Sequence, residues 1–295
     1  MRWETYRVAK SIAEVFECID HFQGKAKVVA GGTDLVVELL ERGQTAGMAL
    51  LDISAIPEMR GIEIGDDRKW ITVGAATTMT ELAQSEIIAR YGRALGMGAS
   101  CMGSPQIRNV ATIGGNVMSA QPAGDGSIPL LALGAEARVV SPKGEKWLAV
   151  EKLFVDVGKS SVNPSEEIVT HFRFKPHAET ATSSIQRLAR RRAFTLPTLL
   201  VAAAVRLDKE KRSFEDVRIA IGPVARTPWL AREAADGLRG SPVSHEAIQK
   251  ASVEARLGAS PRDSIRGGAD YRKAMVEVLV RRAVTECVEL LGVKL

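Results

Sequence analysis

The sequence has few of the residues that bind metal clusters. Its 295 residues include 3 cysteines, Cys18, Cys101 and Cys287, which lie far apart and form no CxxC pair. The 4 histidines show no metal-binding spacing either. Iron–sulfur clusters and structural zinc sites depend on closely spaced ligands of these types. The sequence therefore gives no support for a metal site within this chain.

Long apolar runs are also missing. No run reaches the roughly 20 residues that a membrane-spanning helix needs. The N-terminus, MRWETYRVAK, lacks the uninterrupted apolar core of a signal peptide. We therefore expect a cytoplasmic protein without a membrane span. A chain of this length can bury a large core, and we expect two domains.

Several familiar motifs are absent as well. No GxGxxG follows a predicted strand, so a Rossmann dinucleotide site has no support. Gly158-Lys159-Ser160 resembles the end of a phosphate-binding P-loop, but Leu153 stands where its first glycine belongs. There is no GxSxG nucleophile elbow. A zinc, serine or cysteine hydrolase is therefore not indicated.

The apolar periodicity that is present predicts two similar units in the first half of the chain. The first unit has a capping box at Ser11–Glu14, a strand, a helix capped by Thr33 or Asp34, and another strand. The second has a strand, a turn of small residues and a capping box at Thr78–Glu81. The predicted bounds are strands Lys27–Ala30, Met48–Ile53 and Trp70–Val73, and a helix Leu35–Leu40.

The rest of the chain changes character twice. Residues 92–126 are rich in Gly, Ser, Ala and Asn, and so long a stretch of small residues is more often functional than idle. Pro176–Ser184 reads as a boundary, followed by strands and then helices, which favours an α+β second domain. The predicted strands are Ala137–Val140, Ile168–Phe174, Leu199–Leu207 and Val217–Ile221, and the predicted helices are Pro228–Leu238, His245–Leu257 and Tyr271–Leu291.

Two glycine loops are the candidate binding elements: Ala30–Asp34, with sequence AGGTD, and Thr112–Asn116, with sequence TIGGN. Glycine lets its amide approach a ligand closely, and consecutive amides near a helix start form a nest for phosphate oxygens. A pyrophosphate bridging the two loops is therefore plausible. The alternative for each loop is a turn that merely needs a positive φ.

Taken together, the motifs resemble one family. AGGTDL, VGAATTMTEL and SPQIRNVATIGGNVMSAQPAGD, with the closing segment SIRGGADYR and VLVRR, are similar in order and spacing to the FAD-binding subunits of molybdenum hydroxylases. That family includes the medium subunit of aerobic carbon monoxide dehydrogenase and the flavin part of xanthine dehydrogenase. The resemblance covers nearly the whole chain. It implies an α+β fold: a two-subdomain FAD-binding domain of the vanillyl-alcohol oxidase / p-cresol methylhydroxylase type over 1–176, split at about 55/56, and a C-terminal α+β flavoprotein domain over 182–295.

The resemblance also implies which residues contact FAD. The pyrophosphate would lie on Val29, Ala30, Gly31, Gly32, Thr33, Asp34 and Leu35, and the second turn would place Gly74 and Ala75 against the cofactor. Phosphate, ribose or adenine-side groups would meet Thr112, Gly115, Asn116 and Ser119. Asp125 would hold the ribose hydroxyls, a role that suits a carboxylate acceptor, although a turn residue is the alternative. Ile168 or Val169 would pack on the ring system or the adenine. Met102 and Leu200 align with an aromatic residue and a lysine beside the flavin of eukaryotic xanthine dehydrogenases, which would change the flavin potential and the acceptor.

The implied function is electron transfer without a catalytic residue in this chain. A large partner subunit would carry the molybdenum cofactor, and a small partner would pass electrons from two 2Fe–2S clusters to FAD here. We expect a dimer of such three-subunit units. The substrate and the acceptor, whether NAD, a quinone or oxygen, are open.

Two rival functions stay open. A stand-alone flavin oxidase or dehydrogenase would need a base or a covalent flavin link, for which Cys101 is the nominal candidate. A basic binding module for nucleic acid or an acidic protein would use Gln186–Phe194, in a C-terminal stretch that holds 21 Lys+Arg against 13 Asp+Glu from residue 181. A single aromatic beside four arginines is weak support for nucleic-acid binding.

Overall fold

The computed structural model describes residues 3–42, 48–191 and 195–295. The chain begins with a small parallel sheet whose strands are joined by helices, in the order β1-β3-β2. Its elements are β1 (Thr5–Val8), α1 (Ile12–His21), β2 (Ala26–Val29), α2 (Leu35–Arg42) and β3 (Ala49–Asp52). The predicted β-turn-α-β arrangement is confirmed.

The predicted cap of α1 is present in a modified form. Ser11 Oγ accepts a hydrogen bond from Glu14 N at 3.2 Å. Glu14 reaches back past Ser11 and accepts from the amide of Lys10 at 2.8 Å, whereas a standard capping box bonds the N-cap amide. The amides of Glu14 and Lys10 therefore both have side-chain acceptors at this helix start.

A five-stranded antiparallel sheet follows, in the order β4-β5-β10-β6-β7. Its five strands are β4 (Ile62–Ile64), β5 (Ile71–Gly74), β6 (Glu136–Ser141), β7 (Gly144–Ala149) and β10 (Ile168–Phe174). Between β7 and β10, the strands β8 (Phe154–Asp156) and β9 (Lys159–Ser160) form a separate two-stranded sheet. On one face of the sheet the guanidinium of Arg173 lies between two rings, 4.3 Å from the Trp70 centroid and 3.9 Å from the Trp147 centroid. Glu136 accepts from Arg173 Nε at 2.7 Å.

The small-residue segment between β5 and β6 is mostly helical. Its helices are α3 (Met79–Gln84), α4 (Glu86–Tyr91), α5 (Arg93–Cys101), α6 (Pro105–Arg108), α7 (Ile113–Met118) and α8 (Ser127–Ala132). Thr78 caps α3 in the predicted capping box, with Glu81 bonding back to the Thr78 amide. Small residues are needed because the helices pack closely: a Cβ on Gly98 would lie 2.2 Å from the Asp125 carbonyl oxygen.

The C-terminal part, residues 181–295, is a four-stranded antiparallel sheet in chain order with helices against it. The elements are β11 (Ala181–Leu188), β12 (Leu199–Leu207), β13 (Phe214–Gly222), β14 (Trp229–Leu230), α9 (Arg232–Leu238), α10 (His245–Gly258) and α11 (Ala269–Leu290). One predicted helix was misplaced: the helix predicted from Pro228 begins at Arg232, because β14 occupies its start. The predicted boundary segment Pro176–Ser184 includes the first residues of β11.

Both faces of this second sheet are covered. Alternate residues of β12, such as Leu199 and Val201, pack with α9, α10 and α11 in one hydrophobic cluster. Leu200 and Ala202 belong instead to the core of the N-terminal part. Helix α8, whose six residues are all buried, packs against β12 and β13. The two parts of the chain therefore share a continuous core. Among the described residues, no helix combines the length and apolar character that crossing a bilayer requires.

Candidate functional site

A cavity of about 900 Å³ lies where three parts of the chain meet. Its volume falls within the roughly 300–1,000 Å³ typical of small-molecule and cofactor sites. Thr33, Asp34 and the first turns of α2 form one wall. The segment between Met102 and Asp125 forms the second wall, and loops of the C-terminal part form the third. The fold thus brings residues from distant stretches of sequence to one site.

The first glycine loop presents main-chain donors beside this cavity. Gly32 has a φ of +68°, which favours glycine. The carbonyls of Gly32 and Asp34 accept the first helical bonds of α2. Across the described part of the chain, the amides of Gly31, Gly32, Thr33 and Asp34 donate to no protein acceptor. Consecutive unpaired amides at a helix start favour an anionic ligand.

The neighbours of this loop pack inward. A Cβ on Gly31 would lie 2.0 Å from the carbonyl oxygen of Val110, so glycine is required where the two loop regions touch. Val29, Ala30 and Leu35 pack in the hydrophobic clusters on either side. None of these four residues is among the described residues that line the cavity.

The second glycine loop is built differently, because its amides already have protein acceptors. Thr112 is the N-cap of α7, and Thr112 Oγ1 accepts from Gly115 N at 3.0 Å. The amides of Ile113, Gly114 and Asn116 donate to the carbonyls of Thr77, Ala75 and Thr112. The sequence had suggested amides from both loops. Of the residues of this loop only Asn116 is among the described residues that line the cavity, and the main chain of the loop starts a helix and pairs with neighbouring carbonyls.

Asn116 and Ser119 are the polar side chains of α7 that line the cavity, and Met102 lies beside them. Asn116 Oδ1 accepts from the amides of Gly126 at 2.9 Å and Ser127 at 3.2 Å. Its Nδ2 lies 3.9 Å from the Met102 sulfur. The oxygen of this amide thus supports the loop, which leaves the nitrogen as the donor for a ligand.

Asp125 is the buried carboxylate of the cavity, and 4% of its surface is exposed. Its Oδ1 accepts from Arg187 Nε at 3.1 Å. Burial raises the pKa of Asp125, although Arg187 beside it acts in the opposite direction. Within the described residues, Oδ2 accepts no hydrogen bond from a protein group.

The other predicted contact residues lie behind the cavity walls. A Cβ on Gly74 would lie 2.2 Å from the carbonyl oxygen of Met59, and Ala75 supports the second glycine loop. Ile168 and Val169 are buried at the start of β10, and Leu200 is fully buried in β12. Among the described residues none of these lines the cavity, and neither do Thr112 and Gly115.

Sequence reasoning missed the arginines that the C-terminal part contributes. The cavity is lined from that side by Arg226, Arg262, Arg266 and Arg272. Arg272 is 3% exposed and donates to the carbonyls of Thr198 and Arg262 and to Ser264 Oγ. Burial, together with the nearby Arg266 and Arg262, lowers the pKa of Arg272. The closing motif SIRGGADYR contains two of these four arginines, Arg266 and Arg272, and was the available signal.

The basic segment Gln186–Phe194 is largely engaged within the protein. Arg187 pairs with Asp125, Gln186 donates to Glu286 at 2.8 Å, and Arg190 donates to the carbonyl of Ile265. Arg192 and Phe194 lie outside the described residues. The described arginines therefore do not form the exposed, unpaired surface that a nucleic-acid module needs.

The cavity can hold a large anionic ligand but offers little acid–base chemistry of its own. Among the described residues that line it there is no histidine or cysteine. Cys101 is half-buried at the end of α5, where Ser100 Oγ lies 3.9 Å from its sulfur. The lining combines main-chain donors and arginines for phosphate with carboxylates for hydroxyl groups.

Comparisons with known proteins cover nearly the whole chain. Residues 2–176 match the family model described as the FAD binding domain in molybdopterin dehydrogenase. Residues 185–287 match the CO dehydrogenase flavoprotein C-terminal domain. The chain is 30% identical over 292 residues to the xanthine dehydrogenase FAD-binding subunit of Escherichia coli O157:H7, covering 99% of this chain and 98% of that protein.

Relatives named for carbon monoxide dehydrogenase also match nearly the whole chain. The chain is 28% identical over 281 residues to the carbon monoxide dehydrogenase medium chain of Hydrogenophaga pseudoflava, covering 95% of each protein. A solved structure of carbon monoxide dehydrogenase from that organism, which lacks the Mo-pyranopterin moiety of the molybdenum cofactor, aligns with a TM-score of 0.90. That alignment has 27% identity and covers 97% of each chain.

Proposed function

The chain belongs to the family of FAD-binding domains of molybdopterin dehydrogenases, and on that premise we propose that it is the FAD-carrying electron-transfer subunit of a molybdenum-containing hydroxylase. In this proposal electrons arrive from 2Fe–2S clusters of a partner subunit and leave to an external acceptor. Bound FAD supplies the redox chemistry, because a flavin can exchange electrons singly or in pairs. The task of the chain is to bind the cofactor, orient it and exclude water.

The observation that carries the proposal is the row of unpaired amides from Gly31 to Asp34. Of these four residues Thr33 and Asp34 line the cavity, and Gly31 and Gly32 directly precede them at the start of α2, where the helix dipole also favours negative charge. A diphosphate is the part of FAD that needs several donors at one place. The chain thus binds a diphosphate without a P-loop lysine, and the arginines across the cavity add positive charge.

The remaining contacts follow from the groups that line the cavity. Asn116 Nδ2 and Ser119 are donors for phosphate or ribose oxygens, and Asp125 Oδ2 is an acceptor for ribose hydroxyls. Met102 is the residue placed to flank the flavin ring. Direct contact of FAD with the residues behind the walls stays a prediction: Val29, Ala30, Leu35, Gly74, Ala75, Thr112, Gly115, Ile168 and Val169.

We also propose the finer architecture that the family resemblance implies. The three-stranded sheet ends at Asp52 and the five-stranded sheet begins at Ile62, which supports two subdomains of the vanillyl-alcohol oxidase type meeting near residue 55. The two family matches end at 176 and begin at 185, which supports domains over 1–176 and 182–295.

The partner chains are part of the proposal. The relatives are named as a FAD-binding subunit and as a medium chain, which supports a large molybdenum subunit and a small 2Fe–2S subunit beside this one. A dimer of such heterotrimers and a cytoplasmic location stay predictions. The molybdenum subunit would bind the substrate and determine the substrate specificity.

The test is to purify the chain, alone and co-produced with its neighbouring genes, and to identify what it binds. We expect a flavin spectrum without iron–sulfur absorption, release of FAD on denaturation, and reuptake of FAD in preference to FMN, which lacks the diphosphate. A colourless chain that takes up no FAD with its partners present would refute the proposal. Flavin that stays attached after denaturation would instead favour the stand-alone oxidase, and salt-sensitive retention of nucleic acid without flavin would favour the binding module.

A further inference from the structure

A buried ion pair joins the two parts of the chain at the cavity. Arg187 lies on β11 of the C-terminal sheet, and Asp125 lies just before α8 in the N-terminal part. Arg187 Nε donates a hydrogen bond to Asp125 Oδ1. The side chains are 9% and 5% exposed. A charge this buried is costly unless it is paired, so the Asp125 carboxylate depends on Arg187 for a partner.

The pair leaves half of the carboxylate available. Arg187 occupies Oδ1 alone, although a guanidinium and a carboxylate can pair through both oxygens. Oδ2 therefore keeps its acceptor capacity and belongs to a residue that lines the cavity. A carboxylate anchored through one oxygen cannot rotate without breaking the ion pair.

Arg187 is itself held by a second contact. Its terminal nitrogen Nη2 donates to the carbonyl of Thr195, and Thr195, Leu196 and Pro197 line the same cavity. One guanidinium thus connects a carboxylate of the N-terminal part with a wall segment of the C-terminal part. Loss of the guanidinium would free both.

We propose that Arg187 is a positioning residue for FAD, which anchors Asp125 through one oxygen so that the other accepts the ribose hydroxyls. The proposal rests on the proposed function, because it assumes that FAD occupies the cavity. Arg187 does not touch the cofactor in this role. It acts through Asp125, and it makes cofactor binding depend on the contact between the two parts of the chain.

The electrostatic surroundings single out Arg187. In the described part of the chain it is the basic side chain within ion-pair distance of Asp125. From α7 the neutral Asn116 faces the same loop, and from α5 the contact is Gly98. Other charged residues line the cavity without an ion pair to Asp125: Asp34, Glu38, Glu41, Arg226, Arg262, Arg266 and Arg272.

The test measures the FAD dissociation constant of the full chain by flavin fluorescence over a range of pH. Arg187→Gln keeps a donor for Thr195 but removes the positive charge that favours ionised Asp125. Affinity in this variant should fall as the pH decreases, with a midpoint about 1–3 pH units higher than in the wild type. Arg187→Lys should restore the wild-type midpoint. Arg232→Gln is the matched control: it breaks another ion pair between the two parts of the chain, with Glu151, away from the cavity lining, and should leave the midpoint unchanged.

A double-mutant cycle completes the test. Asp125→Asn should weaken FAD binding roughly 10- to 100-fold, because a charged acceptor is lost. Adding Arg187→Gln to Asp125→Asn should then cost nothing further. If the neutral arginine variant does not fold, Arg187→Lys replaces it: a lysine keeps the charge and the wild-type midpoint but cannot reach Asp125 and Thr195 together, and the resulting loss of affinity must vanish in the Asp125→Asn background.

The outcomes separate the two proposals. A wild-type chain that binds no FAD refutes the proposed function itself. A wild-type chain that binds FAD, with an Arg187→Gln variant weakened by the same factor at every pH and additively with Asp125→Asn, refutes the positioning role and leaves a structural one. Unchanged affinity and midpoint in Arg187→Gln refute it as well.

Discussion

Replacing Gly31 by alanine tests the contact between the two glycine loop regions. The added Cβ would lie 2.0 Å from the carbonyl oxygen of Val110 and 2.9 Å from the Cα of Ala111. Both obstacles are main chain, so no side chain can rotate away. The Val110–Ala111 backbone is also held in place, because both amides donate to Ile107 and the Ala111 carbonyl accepts from Met79.

The magnitude follows from this overlap. An ordinary contact begins at 3.4 Å, so the two segments would have to separate by about 1.4 Å. Strain of this kind in a packed region costs about 1–3 kcal/mol. The displacement also moves the unpaired amides of Gly31–Asp34, and loss of one hydrogen bond to a charged phosphate costs about 1.5–3 kcal/mol, which is at least tenfold in affinity.

The assay combines thermal unfolding of the FAD-free protein with FAD titration. We expect Gly31→Ala to lower the melting temperature by about 2–10 °C and to weaken FAD binding at least tenfold. Gly237→Ala is the matched control: Gly237 is an exposed position of helix α9 and its Cβ would meet nothing within 4 Å, so the change should stabilise the protein by up to about 1 kcal/mol. A Gly31→Ala variant with wild-type stability and FAD affinity would refute the close contact and the loop's role.

Three further changes test the fold around the site. Thr78→Ala removes the cap shared with Glu81 and should cost about 1 kcal/mol in the free energy of unfolding, measured by urea denaturation; an unchanged midpoint would contradict the capping box. Burial lowers the pKa of His177 to about 4. Since the unfolded chain takes up this proton near pH 6.5, stability should be full above that pH and fall as the pH decreases towards 4, and His177→Gln should flatten this window. Arg173→Met should cost about 1 kcal/mol and alter the fluorescence of the two flanking tryptophans, whereas an unchanged spectrum would argue against the stacked guanidinium, which lies 3.9 Å from Trp147.

Apolar pattern and caps located most regular elements from the sequence. Ile168–Phe174 and Leu199–Leu207 were predicted with the bounds that the structure has, because segments rich in apolar and β-branched residues between polar turns are distinctive. Helix α9 was misplaced because Pro228 looked like a first helical residue, whereas α9 begins at Arg232 after Ala231 without a side-chain cap. The short helices of residues 92–126 were missed because glycine and serine hide the apolar periodicity.

The site was predictable only in part. The two glycine loops have similar compositions. They differ in their main-chain hydrogen bonds, because the carbonyls of Ala75 and Thr77 accept from amides of the second loop. No local pattern reveals such a distant partner. The same holds for Arg187 and Arg272, whose place at the cavity is set by how the second sheet docks on the first part of the chain.

The sheet that is covered on both faces has a consequence for how this gene can evolve. The two family matches suggest modules that recombination could exchange at residues 176–185, but Leu200 and Ala202 lie in the core of the preceding module. A chimaera formed by crossover at that junction would combine a C-terminal sheet from one protein with an α8 from another. The apolar face of that sheet would then not fit the helix that covers it. Natural chimaeras should therefore be rare, and either half expressed alone should aggregate through the surface it was meant to bury.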